Sequence, residues 1–177
     1  MRAEHAGIEI VELAPSDVVA AADELAQLLL DAHAKGMALG LAAPLERERA
    51  AATWRTTASL LDPRDRVLLA ARTDGALVGV VQIVRASAEN GAHRAEIVRF
   101  AVRADVRGRG VGRALLGAAV ERARELDLTL LWLSTHAGTD SDRIYERLGW
   151  TRMGTMPGYS TRPDGVDVAS AFYYLEL

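Results

Sequence analysis

The stretch RFAVRADVRGRGVGRALL, Arg99 to Leu116, runs from an apolar extended segment straight into a helical one. Between the two lies Arg107-Gly108-Arg109-Gly110-Val111-Gly112. Glycines carry no Cβ, so such a backbone can curl around an anion and adopt positive φ. The N–H groups freed at the start of the following helix point at that anion, and the helix dipole favours negative charge there. Arg107, Arg109 and Arg113 add cations around the same spot. A pyrophosphate is the guest that suits this turn; a tight turn holding nothing is the alternative. The dinucleotide fingerprint fits poorly, because it needs Gly-x-Gly-x-x-Gly after a first strand and an acidic residue about 20 positions on. The lysine of a P-loop is absent as well.

Working outward, Arg94 to about Val102 reads as the fourth strand of an antiparallel-looking meander. Ile8 to Leu13, Arg66 to Thr73 and Ala76 to Ala86 are the first three, with Asp74-Gly75 a hairpin turn between the last two. Two helices are expected between the first and second strands. One is capped by Ser16 and carries apolar residues at helical spacing as far as Ala32; the other runs from Pro44 to about Leu60. Beyond the glycine turn, Gly112 to Leu126 places Leu115, Leu116, Ala119 and Ala123 on one face of a helix. Thr129 to Thr135 is an apolar strand. A short helix capped by Asp140 or Ser141 follows and ends at Gly149. Trp150 to Met156 and Ala169 to Leu177 are the last strands, around a polar loop from Pro157 to Asp167.

No linker or repeat interrupts the 177 residues, so a single domain over 1–177 is expected. There is no cysteine, which excludes disulfides, thiolate metal sites and a thiol nucleophile. His5, His33 and His93 lack metal-ligand spacing, so no metal is expected. A net charge of −3 gives no reason to expect nucleic acid or an anionic membrane as partner. The first residues lack a signal-peptide pattern, and no apolar run approaches the roughly 18 residues of a spanning helix. A cytoplasmic protein is expected.

Strand–RGRGVG–helix, followed by the strand LLWLST and then RIYERLGW, resembles the GNAT N-acetyltransferases. Their acyl-CoA motif, Arg/Gln-x-x-Gly-x-Gly/Ala, matches Arg107 to Gly112, and their Tyr-x-x-Leu-Gly-Phe segment matches Tyr145 to Trp150. The likeness covers most of the chain from about Arg66 onward. Within the family, His93-Arg94-Ala95-Glu96, Ala137-Gly138, Pro157-Gly158-Tyr159 and Pro163-Asp164-Gly165 are most similar to the tabtoxin-resistance acetyltransferases. The resemblance implies an α/β (α+β) fold with a mixed, mostly antiparallel sheet of about seven strands and about four helices. Its fourth and fifth strands would splay apart to admit acetyl-CoA. Main-chain groups of Phe100, Ala101 and Val102 would pair with pantetheine, while Arg107, Gly108, Arg109, Gly110, Val111, Gly112 and Arg113 would hold the pyrophosphate.

Direct attack by an amine needs a base for its proton and an acid for the departing thiolate. The resemblance gives the acid role to Tyr145, a donor near neutral pH; a core tyrosine packed on Ile144 and Leu148 is the alternative. Glu96 is the base candidate. Alternation along its strand places it on the face of Val98 and Phe100, where burial would raise its pKa. Otherwise it is a strand-edge glutamate paired with Arg94 or Arg99. His136, just past the fifth strand, is either at the mouth of the cleft or a solvated loop residue. Ser134 and His136 stand where the tabtoxin-resistance pattern has aspartate and glutamate, and both are substrate-binding candidates. The apolar segment Met37 to Leu41, expected to be exposed, would cover the acceptor or form a dimer contact. The expected reaction is acetylation of a small-molecule primary amine, a metabolite or an antibiotic-like toxin. A protein N-terminal or lysine acetyltransferase and an acyl-CoA-binding module without turnover are the other readings.

Overall fold

The structure, a computed structural model, describes residues 2–5 and 7–177, with side chains over 7–139 and 142–177. Its strands are β1 (Arg2–His5), β2 (Ile8–Glu12), β3 (Arg66–Thr73), β4 (Ala76–Arg85), β5 (Arg94–Val102), β6 (Leu130–His136), β7 (Thr151–Thr161) and β8 (Asp167–Glu176). Its helices are α1 (Pro15–Ala20), α2 (Ala22–His33), α3 (Arg47–Leu60), α4 (Val111–Glu125) and α5 (Asp140–Arg147). All eight strands join one sheet in the order β1-β2-β3-β4-β5-β6-β8-β7. Neighbours are antiparallel, except that β5 and β6 run parallel.

Alternation along the strands divides the core between two faces of the sheet. Val67, Leu69, Val81, Ile83, Ala95, Ile97, Leu131 and Leu133 point to the side of α4, against Leu115, Leu116, Ala119 and Ala123. Tyr145 and Trp150 join that cluster. Leu68, Ala70, Val80 and Ala101 point to the other side, against Leu25 and Leu29 of α2 and Ala50, Ala51 and Trp54 of α3. Each fully buried leucine contributes roughly 1.5–3 kcal/mol relative to exposure. The Asp74-Gly75 turn forms as expected: both residues have positive φ, 50° and 78°, as a two-residue hairpin of the type matching strand twist requires.

The expected mixed, mostly antiparallel sheet with one parallel pair forms, and several details of it differ. β1 adds an eighth strand, so the expected fourth and fifth strands are β5 and β6. The first helix is two, because the backbone leaves helical geometry at Ala21 (φ −93°, ψ 11°), which gives five helices. Its start is marked by Ala14, whose N–H donates to the Asp17 carboxylate at 3.0 Å, and not by Ser16. α3 begins at Arg47, three residues past Pro44. The cap of α5 is Thr139; the expected caps, the Asp140 and Ser141 side chains, lie outside the described residues, as does that of His5. The polar loop after Pro157 is mostly strand, since β7 continues to Thr161 and β8 starts at Asp167. Leu39 and Leu41 are packed half-buried against the α2–α3 core rather than exposed.

Two glycines test this packing in opposite directions. A Cβ on Gly79 would lie 2.8 Å from Leu115 Cδ1 and 3.0 Å from the Ala101 carbonyl oxygen, whereas one on Gly117, exposed on α4, meets nothing within 4 Å. Gly79→Ala is expected to destabilise by about 1–3 kcal/mol. Gly117→Ala should stabilise by about 0.5–1 kcal/mol. Urea unfolding of both variants checks the pair.

Candidate active site

The parallel ladder of β5 and β6 has three residue pairs: Arg94 with Leu130, Ala95 with Leu131 and Glu96 with Trp132. Beyond them β5 runs to Val102 and β6 to His136 without pairing to one another. Their outer edges stay bonded, β5 to β4 and β6 to β8. The inner edges therefore open a V in mid-sheet whose N–H and C=O groups need a partner. An extended ligand can supply it by adding as a strand.

The glycine turn sits at the mouth of this V, directly after β5. Gly108 and Gly110 have φ of 77° and 87°, and Gly110 is the N-cap of α4 with no side chain capping it. The first N–H groups of α4, from Val111 to Arg113, therefore have no partner within the helix. A Cβ at Gly108 or Gly110 would touch nothing within 4 Å, so the left-handed backbone is what demands glycine there. Gly112 differs, since its Cβ would lie 3.1 Å from Phe100 Cζ, where α4 crosses β5. Arg107 Nε donates to the Val102 carbonyl at 3.2 Å, tying the turn to the end of β5. Arg109 and Arg113 are exposed around the helix start.

A bulge in β5 decides what faces the V. Val80 pairs with Ala101 but Gln82 pairs with Val98, so β5 holds one residue more than β4 between those pairs. Arg99 takes up the extra residue with φ 50°, a left-handed conformation uncommon for any residue but glycine. Alternation flips across the bulge. Ala95 and Ile97 lie on the α4 face, and so do Phe100 and Val102, while Ala101 turns to the α2–α3 face. Glu96 and Val98 thus lie on the α2–α3 side, opposite Phe100, which corrects the expectation that Glu96 and Phe100 share a face.

Burial pushes the Glu96 carboxyl above its ordinary range, with no cation contributing to the shift. No ion pair joins Glu96 to Arg94 or Arg99 among the described residues. Trp132, Ser134 and His136 share its face, because Leu131 and Leu133 point the other way. His136 lies within β6, not beyond it, and burial together with the Arg162 charge lowers its pKa. Aromatic residues line the same face: Trp132 stacks on Phe172 at 6.5 Å, and Tyr159 meets Phe172 edge-on at 4.8 Å. The sequence signal for this wall is the period-two spacing of Trp132 with Ser134 and His136.

Tyr145 occupies the opposite, α4 face. Its ring lies 6.5 Å from Phe100, 6.2 Å from Trp150 and 5.4 Å from Tyr173. It is at once a core residue and a wall beside the bulge. Burial, with Tyr173 adding to it, pushes the phenol pKa well up, so Tyr145 keeps its proton. Tyr173 donates to the Asp142 carboxylate at 2.6 Å and is itself pushed up to about 12. Among the described residues, no group of three or more His, Cys, Asp or Glu side chains is placed to hold a metal ion. No helix among them is long and apolar enough to cross a membrane.

The profile described as the acetyltransferase (GNAT) family matches residues 23–150. The chain belongs to the GNAT family of acetyltransferases. It is 34% identical over 115 residues to a mycothiol acetyltransferase of Propionibacterium freudenreichii subsp. shermanii. That match takes in 64% of this chain but only 34% of the relative, so the chain spans about a third of the relative's length. In fold it is similar to a putative acetyltransferase from Acinetobacter baylyi ADP1, with a TM-score of 0.79, 22% identity and coverage of 96% and 93% of the two chains. It is also similar to a putative acetyltransferase from Salmonella typhimurium solved with its cofactor acetyl-CoA, with a TM-score of 0.72, 19% identity and coverage of 96% and 94%. The open V and the uncapped glycine turn suit a pantetheine arm and a pyrophosphate respectively.

The raised pKa of Glu96 has a consequence for stability. The folded state holds the proton above the unfolded value near 4.5, so Glu96 lowers stability as pH rises from there through its folded value. Glu96→Gln should therefore raise Tm at pH 7–8, and the gain should vanish below about pH 4, where both forms are neutral. Thermal melts across that range check the sign.

Proposed function

We propose that this chain transfers the acetyl group of acetyl-CoA directly to the primary amine of a small molecule. The observation that carries the reading is the V between β5 and β6, flanked by a carboxyl on one face and a phenol on the other. Acetyl-CoA would supply the activated acetyl group, held by Phe100, Ala101 and Val102 along β5 and by Arg107 to Arg113 at the turn. The acceptor would approach from the α2–α3 face, where Glu96 takes the proton from its nitrogen. Tyr145 Oη on the α4 face carries the proton that the departing sulfur needs. A group that neither accepts nor gives protons would suit a module without turnover, and this pair of titratable groups speaks for an enzyme.

The likeness to the tabtoxin-resistance acetyltransferases supports an amino-acid-like acceptor and a resistance role. Ser134 and His136 replace two carboxylates of that pattern, so the acceptor is not tabtoxinine-β-lactam itself. A neutral hydroxyl and imidazole offer hydrogen bonds without charge to balance an ammonium. The reading includes a cytoplasmic location and no nucleic-acid or membrane partner, in keeping with a net charge of −3. It includes a homodimer, supported by Met153 and Met156, 55% and 51% exposed on the edge strand β7.

Acetyl-CoA at 100 times its Kd should stabilise the fold by about 2.7 kcal/mol. Gly110→Asp should abolish that shift, since it forces a side chain into a left-handed backbone and places an anion where phosphate belongs. A wild type that shows no shift would refute the reading. In a thiol-release assay over a panel of amines, Glu96→Gln and Tyr145→Phe should each lower kcat by roughly 100-fold. Full activity of Glu96→Gln at every pH would place the base elsewhere.

A further inference from the structure

Arg99 and Arg66 are two cations on the α2–α3 face that have no carboxylate partner among the described residues. The bulge turns Arg99 toward α3, where its guanidinium lies 5.4 Å over the Trp54 ring and donates to Thr57 Oγ1. Arg66 reaches the same face because Val67 points to the α4 core and Leu68 to the α2–α3 core. It is aligned across the sheet with Val84, and Val84 with Glu96. The two guanidinium groups are close enough for Arg66 to lower the pKa of Arg99, on top of the desolvation Arg99 suffers. Paired like charges in a half-buried layer are costly unless an anion joins them.

The surroundings contribute further unsatisfied polar atoms. Gln82, fully buried on this face and paired in register with Val98, has both amide atoms without a hydrogen-bond partner. The buried Nε1 of Trp54, the ring under Arg99, has none either. Arg99 also holds a left-handed backbone, a strain that persists where the fold over-determines it and that clusters at ligand sites. The layer between α3 and β3–β5 thus holds two arginines and unpartnered buried donors at Gln82 Nε2 and Trp54 Nε1.

We propose that Arg99, with Arg66 beside it, binds a carboxylate carried by the acceptor, so that the substrate is an amino acid or a close analogue acetylated on its amine. The proposal rests on the acetyl-transfer reading above. Its geometry follows from strand spacing. The Cα atoms of Glu96 and Arg99 are about 10 Å apart along β5, and those of Glu96 and Arg66 about 10 Å apart across two strand spacings. Both arginines lie on the face that carries Glu96, so one molecule could present its amine to the carboxyl and its carboxylate to the guanidinium pair. The amine then meets Glu96 at the apex of the V, and the carboxylate takes the fork of the guanidinium. Trp132 and Phe172 remain beside Glu96 for the rest of the molecule.

The test uses matched acceptors, a panel of amino acids against their carboxamides and decarboxylated amines, in the thiol-release assay with the full chain. Wild type should prefer the acid by tenfold or more in kcat/KM for the reactive members. In Arg99→Met and in Arg66→Met that ratio should fall toward one, with Arg99→Lys retaining part of it. The acetyl-CoA thermal shift shows that each variant folds. In parallel, N-acetylamino acids and their amides are titrated into the protein with CoA present, which reads carboxylate preference without turnover. Equal handling of acid and amide in both measurements by wild type overturns the proposal, as does a preference that survives both methionine variants. Inorganic phosphate that binds through Arg99 without competing with any amine also overturns it, because the anion is then not part of the acceptor. Failure of acetyl-CoA to bind at all marks instead the failure of the acetyl-transfer reading.

Discussion

The parallel ladder between β5 and β6 stops after Glu96 and Trp132, and most of what the site can do depends on that stop. Two strands held rigidly by their outer neighbours cannot close the gap themselves. Each therefore presents a row of backbone groups toward the other, which an extended ligand can pair with. The glycine turn then places the start of α4 at the open end, so one continuous run of chain supplies both the strand edge and the phosphate cradle. Arg107 links the two by holding the Val102 carbonyl.

The bulge at Arg99 gives the V two chemically different sides. Without it, Glu96 and Phe100 would face the same way. With it, Glu96 faces α2 and α3 while Phe100 and Tyr145 pack together beneath α4. Separation of an acid and a base by a sheet keeps them from pairing with each other, which would fix the proton between them. In the proposed reaction an amine would approach from one side while the sulfur is protonated from the other.

The glycine turn, the strand–helix junction and the Asp74-Gly75 hairpin were legible in the sequence because each depends on local backbone chemistry. The faces of α4 were legible too, since 3.6-residue spacing is regular through Leu115, Leu116, Ala119 and Ala123. The bulge was not, because Arg99 is a residue that either strand face tolerates, and nothing local announces an added position. Pro157 and Gly158 argued for a loop, yet β7 is an edge strand, where a missing N–H and a bulge are both accommodated. The break at Ala21 sits in an alanine-rich run whose helical propensity is high throughout, so tertiary packing decides it. Of the site, Glu96, Tyr145, Ser134 and His136 could be named from sequence, but which face each occupies required the register.

In the proposed reaction the charges on the α2–α3 face would act together on the acceptor amine. Arg99 and Arg66 are cationic, His136 is kept neutral near pH 7 by burial and by Arg162, and Glu96 resists ionisation because burial disfavours its charge. An ammonium arriving there meets like charges and little compensation. Like charges disfavour the protonated form and lower its pKa, so the site itself drives the amine toward the neutral nucleophile that attack requires. A carboxylate on the same molecule would bind the arginines and weaken that repulsion in part, while leaving the amine beside Glu96. Ionised carboxylates at positions 134 and 136 would stabilise the ammonium and work against this effect. Serine and histidine there leave Glu96 as the carboxyl group at the end of the parallel ladder, beside Trp132.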